Sequence, residues 1–123
     1  MIQTLVHIVP LVVGLGGLII GTAAFILPVK ASAGFGIVVD KKHSDYVRAV
    51  GARDIFIGLI FIYFWQQKDL HALAWICVFT SVVSTCDFVI TRRAGATRAS
   101  LIHLSATFAV LVLAYLLYSI KLA

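Results

Sequence analysis

The stretch Leu5–Leu27, LVHIVPLVVGLGGLIIGTAAFIL, runs for 23 residues without an Asp, Glu, Lys or Arg. As a helix it would measure about 34 Å at 1.5 Å per residue, enough to cross the roughly 30 Å hydrocarbon layer of a bilayer. A strand reading fits poorly, because outer-membrane strands need about ten residues and alternate apolar with polar side chains. Comparable apolar runs follow at about 48–65, 70–90 and 100–120. The sequence therefore predicts an all-α protein, a polytopic transmembrane four-helix bundle. Residues 1–123 would form a single domain with spans at about 5–27, 48–65, 70–90 and 100–120.

Composition agrees with this. The chain is 62% hydrophobic and 12% charged, against roughly 25% charged residues in a soluble domain. A soluble fold of this size has too little interior to hide that much apolar surface, so part of it must face lipid. Ten Lys and Arg stand against five acids, giving a net charge of +5. The basic residues lie between the apolar runs, which makes the lipid bilayer and its anionic headgroups the expected partner, with no nucleic acid. Nothing points to a cofactor or a metal: there is no His-Glu-x-x-His pair and no Cys-x-x-Cys. Cys77 and Cys86 fall nine positions apart in one span, too far along a helix to bond each other.

The polar links set the expected topology. Gln66-Gln67-Lys68-Asp69 is tight, so spans two and three are expected to be antiparallel neighbours. Thr91–Arg98 reads as a basic turn broken by Gly95. The longest link is Pro28–Tyr46, within which Gly34–Val39 reads as an interfacial or re-entrant segment. Lys30, Lys41, Lys42, Arg48, Arg92, Arg93 and Arg98 fall on the side shared by the first and third links, and only Lys68 and Lys121 on the other. The positive-inside rule then places those two links in the cytoplasm and both termini outside, in a membrane of the bacterial inner-membrane type. Tyr63, Trp65, Trp75, Tyr115 and Tyr118 fall near the outer span ends, as an aromatic belt would. Ala31-Ser32-Ala33 has the form of a signal-peptidase site. No positive region precedes the first span, however, and its apolar run is too long for a signal sequence, so an uncleaved helix is expected. His7 and His71 at the outer interface and His43 in the first link read as surface residues.

Within the spans, small residues mark helix contacts. Pro10, Gly14, Gly17, Gly21, Ala24 and Pro28 form one stripe on the first span, and Gly51 and Gly58 share a face with Asp54 on the second. Gly14, Gly17, Gly21, Gly51 and Gly58 are the expected packing positions, serving either the bundle itself or a homo-oligomer through the first span. Polar residues also align: Cys77, Thr80, Ser84 and Asp87 on the third span, and Ser100, His103 and Thr107 on the fourth. Asp54 lies six residues past Arg48, Asp87 five before Arg92 and His103 five past Arg98. All three thus sit roughly 7–9 Å inward from the basic end of their own span. An ionisable group in hydrocarbon costs several kcal/mol unless paired or hydrated, so the three are expected to converge. Asp54, Asp87 and His103 are the candidate catalytic residues, with Arg48, Arg53, Ser84 and Thr107 as candidate ligand-binding residues. Arg53, about 100° around the helix from Asp54, is expected to snorkel toward the headgroups, although it or Arg48 would also supply a compensating charge.

The run Arg48-x-x-Gly51-x-Arg53-Asp54-x-x-x-Gly58 resembles the domain-of-unknown-function family 4267. That resemblance implies a small four-span membrane protein, DoxX-like in layout, in which these five residues matter; it implies no particular activity. Small multidrug exporters are similar in length and span number, but their essential acid lies in the first span, which here has no charge. The leading expectation is a bundle that binds a small apolar or lipid-like ligand through the Asp/His/Arg cluster. The alternatives are a membrane-embedded acid–base enzyme of isomerase, cyclase or epoxide-opening type, an accessory subunit or small transporter, and a purely structural polar network.

Overall fold

The computed structural model describes residues 2–122, with side chains from Thr4 to Ile120; the side chain of Lys121, counted above among the outer basic residues, lies outside the described set. Five α-helices account for most of the chain: α1 (Ile2–Ile26), α2 (Pro28–Gly34), α3 (Ser44–Gln66), α4 (Leu70–Arg93) and α5 (Thr97–Leu122). A 3-10 turn, Lys41–His43, leads into α3. Three segments, Thr4–Ile26, Leu70–Arg93 and Thr97–Ile120, are long and apolar enough to cross a membrane. The protein is therefore all-α and membrane-embedded. At 23 residues α3 matches the first of these in length, but it carries Asp45, Arg48, Arg53 and Asp54.

The helix count exceeds the expected four because the first link is itself structured. Pro28 has no N–H to continue the α1 ladder, but its fixed φ suits the first position of a new helix. Leu27 leaves helical geometry (φ −121°, ψ 56°) and α2 begins at Pro28. Ser32 then ties the link together: its hydroxyl donates to the Val29 carbonyl at 2.7 Å and accepts from the Val39 N–H at 3.2 Å. Gly36 turns the chain at φ +79°, and a Cβ there would lie 2.6–2.7 Å from the Ala96 and Ala99 methyls, so the segment rests directly on the start of α5.

The long helices pack as two pairs, α1 with α3 and α4 with α5. Trp65 Nε1 donates to the His7 carbonyl at 2.6 Å at one end, and Arg48 Nη1 to the Phe25 carbonyl at 2.8 Å at the other, so α1 and α3 run antiparallel over their full length. Between these ties, glycines bring the backbones together. A Cβ on Gly21 would stand 2.6 Å from the Gly51 carbonyl, and one on Gly58 2.6 Å from the Gly14 carbonyl. Spans two and three, expected to be close neighbours because their link is short, meet far less extensively. A short link fixes only the ends of two helices; the small-residue faces of α1 and α3 fix which pair lies side by side.

The turns follow local chemistry. Asp69 Oδ1 accepts from the Ala72 N–H at 3.0 Å and caps α4. Gly95, at φ +79°, closes the α4–α5 turn. Cys77 is buried and Cys86 exposed, and neither is in a disulfide. The apolar core of Val6, Phe61, Leu73, Cys77, Val110, Leu113 and Leu117 fills the half of the bundle near the termini. His71, expected at the surface, is half-buried, with its Nδ1 unpaired beside Trp75 and Tyr118. Its place on the first turn of α4 sets the ring against the C-terminal part of α5.

Candidate functional site

Below the apolar core, toward the basic links, the interior turns polar. Asp54 and Arg53 come from α3 and Asp87 from α4, whose facing turns lie at one level. Arg53 reaches both acids. Its Nη1 and Nη2 donate to Asp87 Oδ1 and Oδ2, each at 3.0 Å, and its Nε donates to Asp54 Oδ1 at 3.0 Å. The two-pronged contact uses the planar fork of the guanidinium and is the strongest geometry available to an Arg–carboxylate pair. The side chains are 33% exposed for Arg53, 18% for Asp54 and 20% for Asp87. Arg53 therefore turns inward, against the expectation that it snorkels outward. Lipid offers a guanidinium no partner, and two carboxylates lie within its reach.

The pair borders a cavity of about 140 Å³. Arg53, Asp87 and His103 form its polar side. Val47 and Val50 of α3 and Ile90 and Thr91 of α4 form apolar walls. The remaining wall is the first link, through Ser32, Phe35, Ile37 and Val39, and Tyr46 stands at the edge, 74% exposed. His103 thus meets Asp87 and Arg53 around one space, though no hydrogen bond joins its ring to either. Its backbone carbonyl accepts from Thr107 Oγ1 at 3.0 Å. Thr91 Oγ1 donates to the Asp87 carbonyl at 2.7 Å, fixing the last turns of α4 beneath the acid.

The other expected site residues lie elsewhere. Ser84 and Thr107 are half-buried but do not line the cavity. Arg48 is held away from it, with Nη1 on the Phe25 carbonyl and Nε 3.5 Å from Asp45 Oδ1. It borders a separate groove with Lys30 and Lys41. Gly14, Gly17, Gly21, Gly51 and Gly58 all face the α1–α3 seam within the chain. The link residues Ser32, Phe35, Ile37 and Val39 were not among the expected site residues. For Phe35, Ile37 and Val39 the sequence signal is the run Gly34–Val39, which reads as interfacial or re-entrant; Ser32 lies before it and has no such signal.

The family model described as Domain of unknown function (DUF4267) matches residues 14–117, which include the whole Arg48–Gly58 motif, the cluster and the cavity walls. No curated protein and no solved structure matches the chain. With most of its length covered by that model, the chain belongs to this family of unknown function.

Proposed function

We propose that the protein is a four-span membrane protein that binds a compact, largely apolar ligand in the cavity under Phe35–Val39, with the ligand's polar end against Arg53, Asp87 and His103. The observation that carries this reading is the lining: apolar side chains from α3, α4 and the first link close around a few convergent polar groups. A volume of about 140 Å³ limits the occupant to roughly one ring, since an apolar cavity of about 150 Å³ takes up benzene. Two carboxylates face one guanidinium, so the ion-pair cluster carries a formal excess of one negative charge. That excess favours a neutral hydrogen-bond donor over an anion. Binding also fits better than acid–base chemistry, because both oxygens of Asp87 already accept from Arg53.

The test is thermal unfolding in detergent with phenol, benzene and benzoate as probes, since a ligand that binds only the folded state raises the midpoint. Phenol is expected to raise it most and benzoate least. Val50→Phe, which fills the cavity, is expected to remove the phenol shift. If no ring compound moves the midpoint, or if Val50→Phe responds like the parent, the binding reading fails.

The ion-pair geometry favours a second reading, in which Arg53 serves to pin α3 to α4. On that reading Asp87→Asn lowers the midpoint while no probe restores it.

A further inference from the structure

A second groove, of about 570 Å³, opens where α1 ends. Three cations border it: Lys30 from α2, Lys41 from the 3-10 turn and Arg48 from α3. Its floor is apolar, with Ile26, Leu27 and Val29 all facing outward. Arg48 is fixed rather than floating, because Nη1 is bound to the Phe25 carbonyl at 2.8 Å while other guanidinium donors remain to be filled. Two acids stand nearby: Asp45 approaches Arg48 Nε at 3.5 Å and is 95% exposed, and Asp40, next to Lys41, turns its Oδ1 to His43, so the lining of the groove keeps a positive excess. Its position is set by α1 alone: Thr4–Ile26 is apolar enough to span, and the groove begins where that stretch stops.

We infer that this groove is a binding site for an anionic phospholipid, with the headgroup phosphate between Lys30, Lys41 and Arg48 and an acyl chain running along the outward face of α1 past Ile26. Charge complementarity and depth select this occupant. A zwitterionic lipid brings its own ammonium into a site that already holds three cations. A soluble anion gains nothing from Ile26 and Leu27. Basic residues at the membrane surface attract anionic lipid even without a defined groove. The distinction here is that three of them, from three separate elements, surround one space, while Arg93 and Arg98 border the other basic link. The inference does not depend on the occupant of the cavity at Arg53.

The experiment is native mass spectrometry of the full chain in detergent, titrated with dioleoyl phosphatidylglycerol. One lipid is expected to bind ahead of the rest, at least tenfold more tightly than dioleoyl phosphatidylcholine. Lys30→Gln with Lys41→Gln is expected to weaken that binding about twenty-five-fold, at about fivefold per lost cation. Both lysines are exposed, so the fold should be kept, and an unchanged unfolding midpoint verifies it. Lys41→Gln alone, weakened about fivefold, gives a second reading with less perturbation. The matched control, Arg93→Gln with Arg98→Gln, removes equal charge from the other link and is expected to leave the first lipid bound. Equal weakening by the control pair would mean diffuse surface charge and would overturn the site. Displacement of the lipid by millimolar inorganic phosphate would make it a free-anion site, which also overturns the proposal.

Discussion

Arg53 follows Asp87 rather than its own helix face. The spacing of the acids and His103 from the basic span ends put them at one depth, and that much was legible in the sequence, because depth along a helix is set by rise alone. The direction of Arg53 was not legible. A long side chain with several torsions is directed by whatever partner comes within reach, and that partner sits 34 positions away on α4. Arg53→Met would leave two poorly hydrated carboxylates close together without their cation. It is expected to lower stability by about 3 kcal/mol, the scale seen when one member of a buried pair is removed. Measured as detergent-phase unfolding of Arg53→Met against Arg53→Met/Asp87→Leu, part of that loss should be recovered in the double variant, since only Asp54 is then left without its cation. No recovery would mean the cost lies in packing, not charge. A smaller effect belongs to Lys68, which holds φ at 56°, a left-handed conformation that costs a residue with a Cβ about 1 kcal/mol. Lys68→Gly is expected to stabilise by about 0.5 kcal/mol after the flexibility it adds to the unfolded chain, and so to raise the unfolding midpoint slightly. A fall in midpoint would show that the Lys side chain, not its backbone, matters at this turn.

At the scale of elements, the α1–α3 seam depends on missing side chains. A Cβ on Gly51 would meet the Gly21 carbonyl at 2.6 Å and the Phe25 nitrogen at 2.8 Å, both of them backbone atoms that cannot rotate away. Gly51→Ala is therefore expected to cost about 1–3 kcal/mol through forced separation of the two helices. Gly16, about one and a half turns from the Gly21 contact and with nothing within 4 Å of its Cβ position, is the internal comparison. Gly16→Ala should be neutral or stabilising by up to about 1 kcal/mol, because alanine is the better helix former. Equal losses from both substitutions would contradict a seam held by close backbone approach at Gly51. The stripe itself was readable from Gly14, Gly17 and Gly21 at helical spacing, but the choice of partner was not. A small-residue stripe states only that some backbone can come close, and the complementary Gly51 and Gly58 become its match only once antiparallel register aligns them. The link was the least legible element. Pro28, Gly34 and Gly36 marked its breaks, whereas its seat over the cavity depends on the Ala96 and Ala99 methyls at the start of α5, some sixty residues later.

At the scale of the whole molecule, the packing of α3 against α1 bears on how often the chain crosses the membrane. The helix lies against α1 from the Trp65–His7 tie to the Arg48–Phe25 tie, so any depth reached by α1 is reached by α3 as well. Its polar residues do not oppose this, because Arg53 and Asp54 satisfy each other and Asp87 within the bundle. If α3 crosses, there are four spans and all seven basic residues of the first and third links lie on one side. If it does not, α1, α4 and α5 cross alone, and Lys30, Lys41, Lys42 and Arg48 are separated by the bilayer from Arg92, Arg93 and Arg98. Only the first arrangement satisfies the asymmetry of Lys and Arg that orients membrane proteins. Single cysteines at Lys42→Cys and Ala94→Cys, in a background carrying Cys77→Ala and Cys86→Ala, separate the two arrangements. Both positions are exposed in links and lie outside the cluster and the cavity. In sealed, oriented vesicles an impermeant thiol reagent is expected to label both from the same face, and Lys68→Cys from the opposite one. Labelling of positions 42 and 94 from opposite faces would remove α3 from the membrane, and with it the low-dielectric setting that makes the Arg53 cluster worth burying.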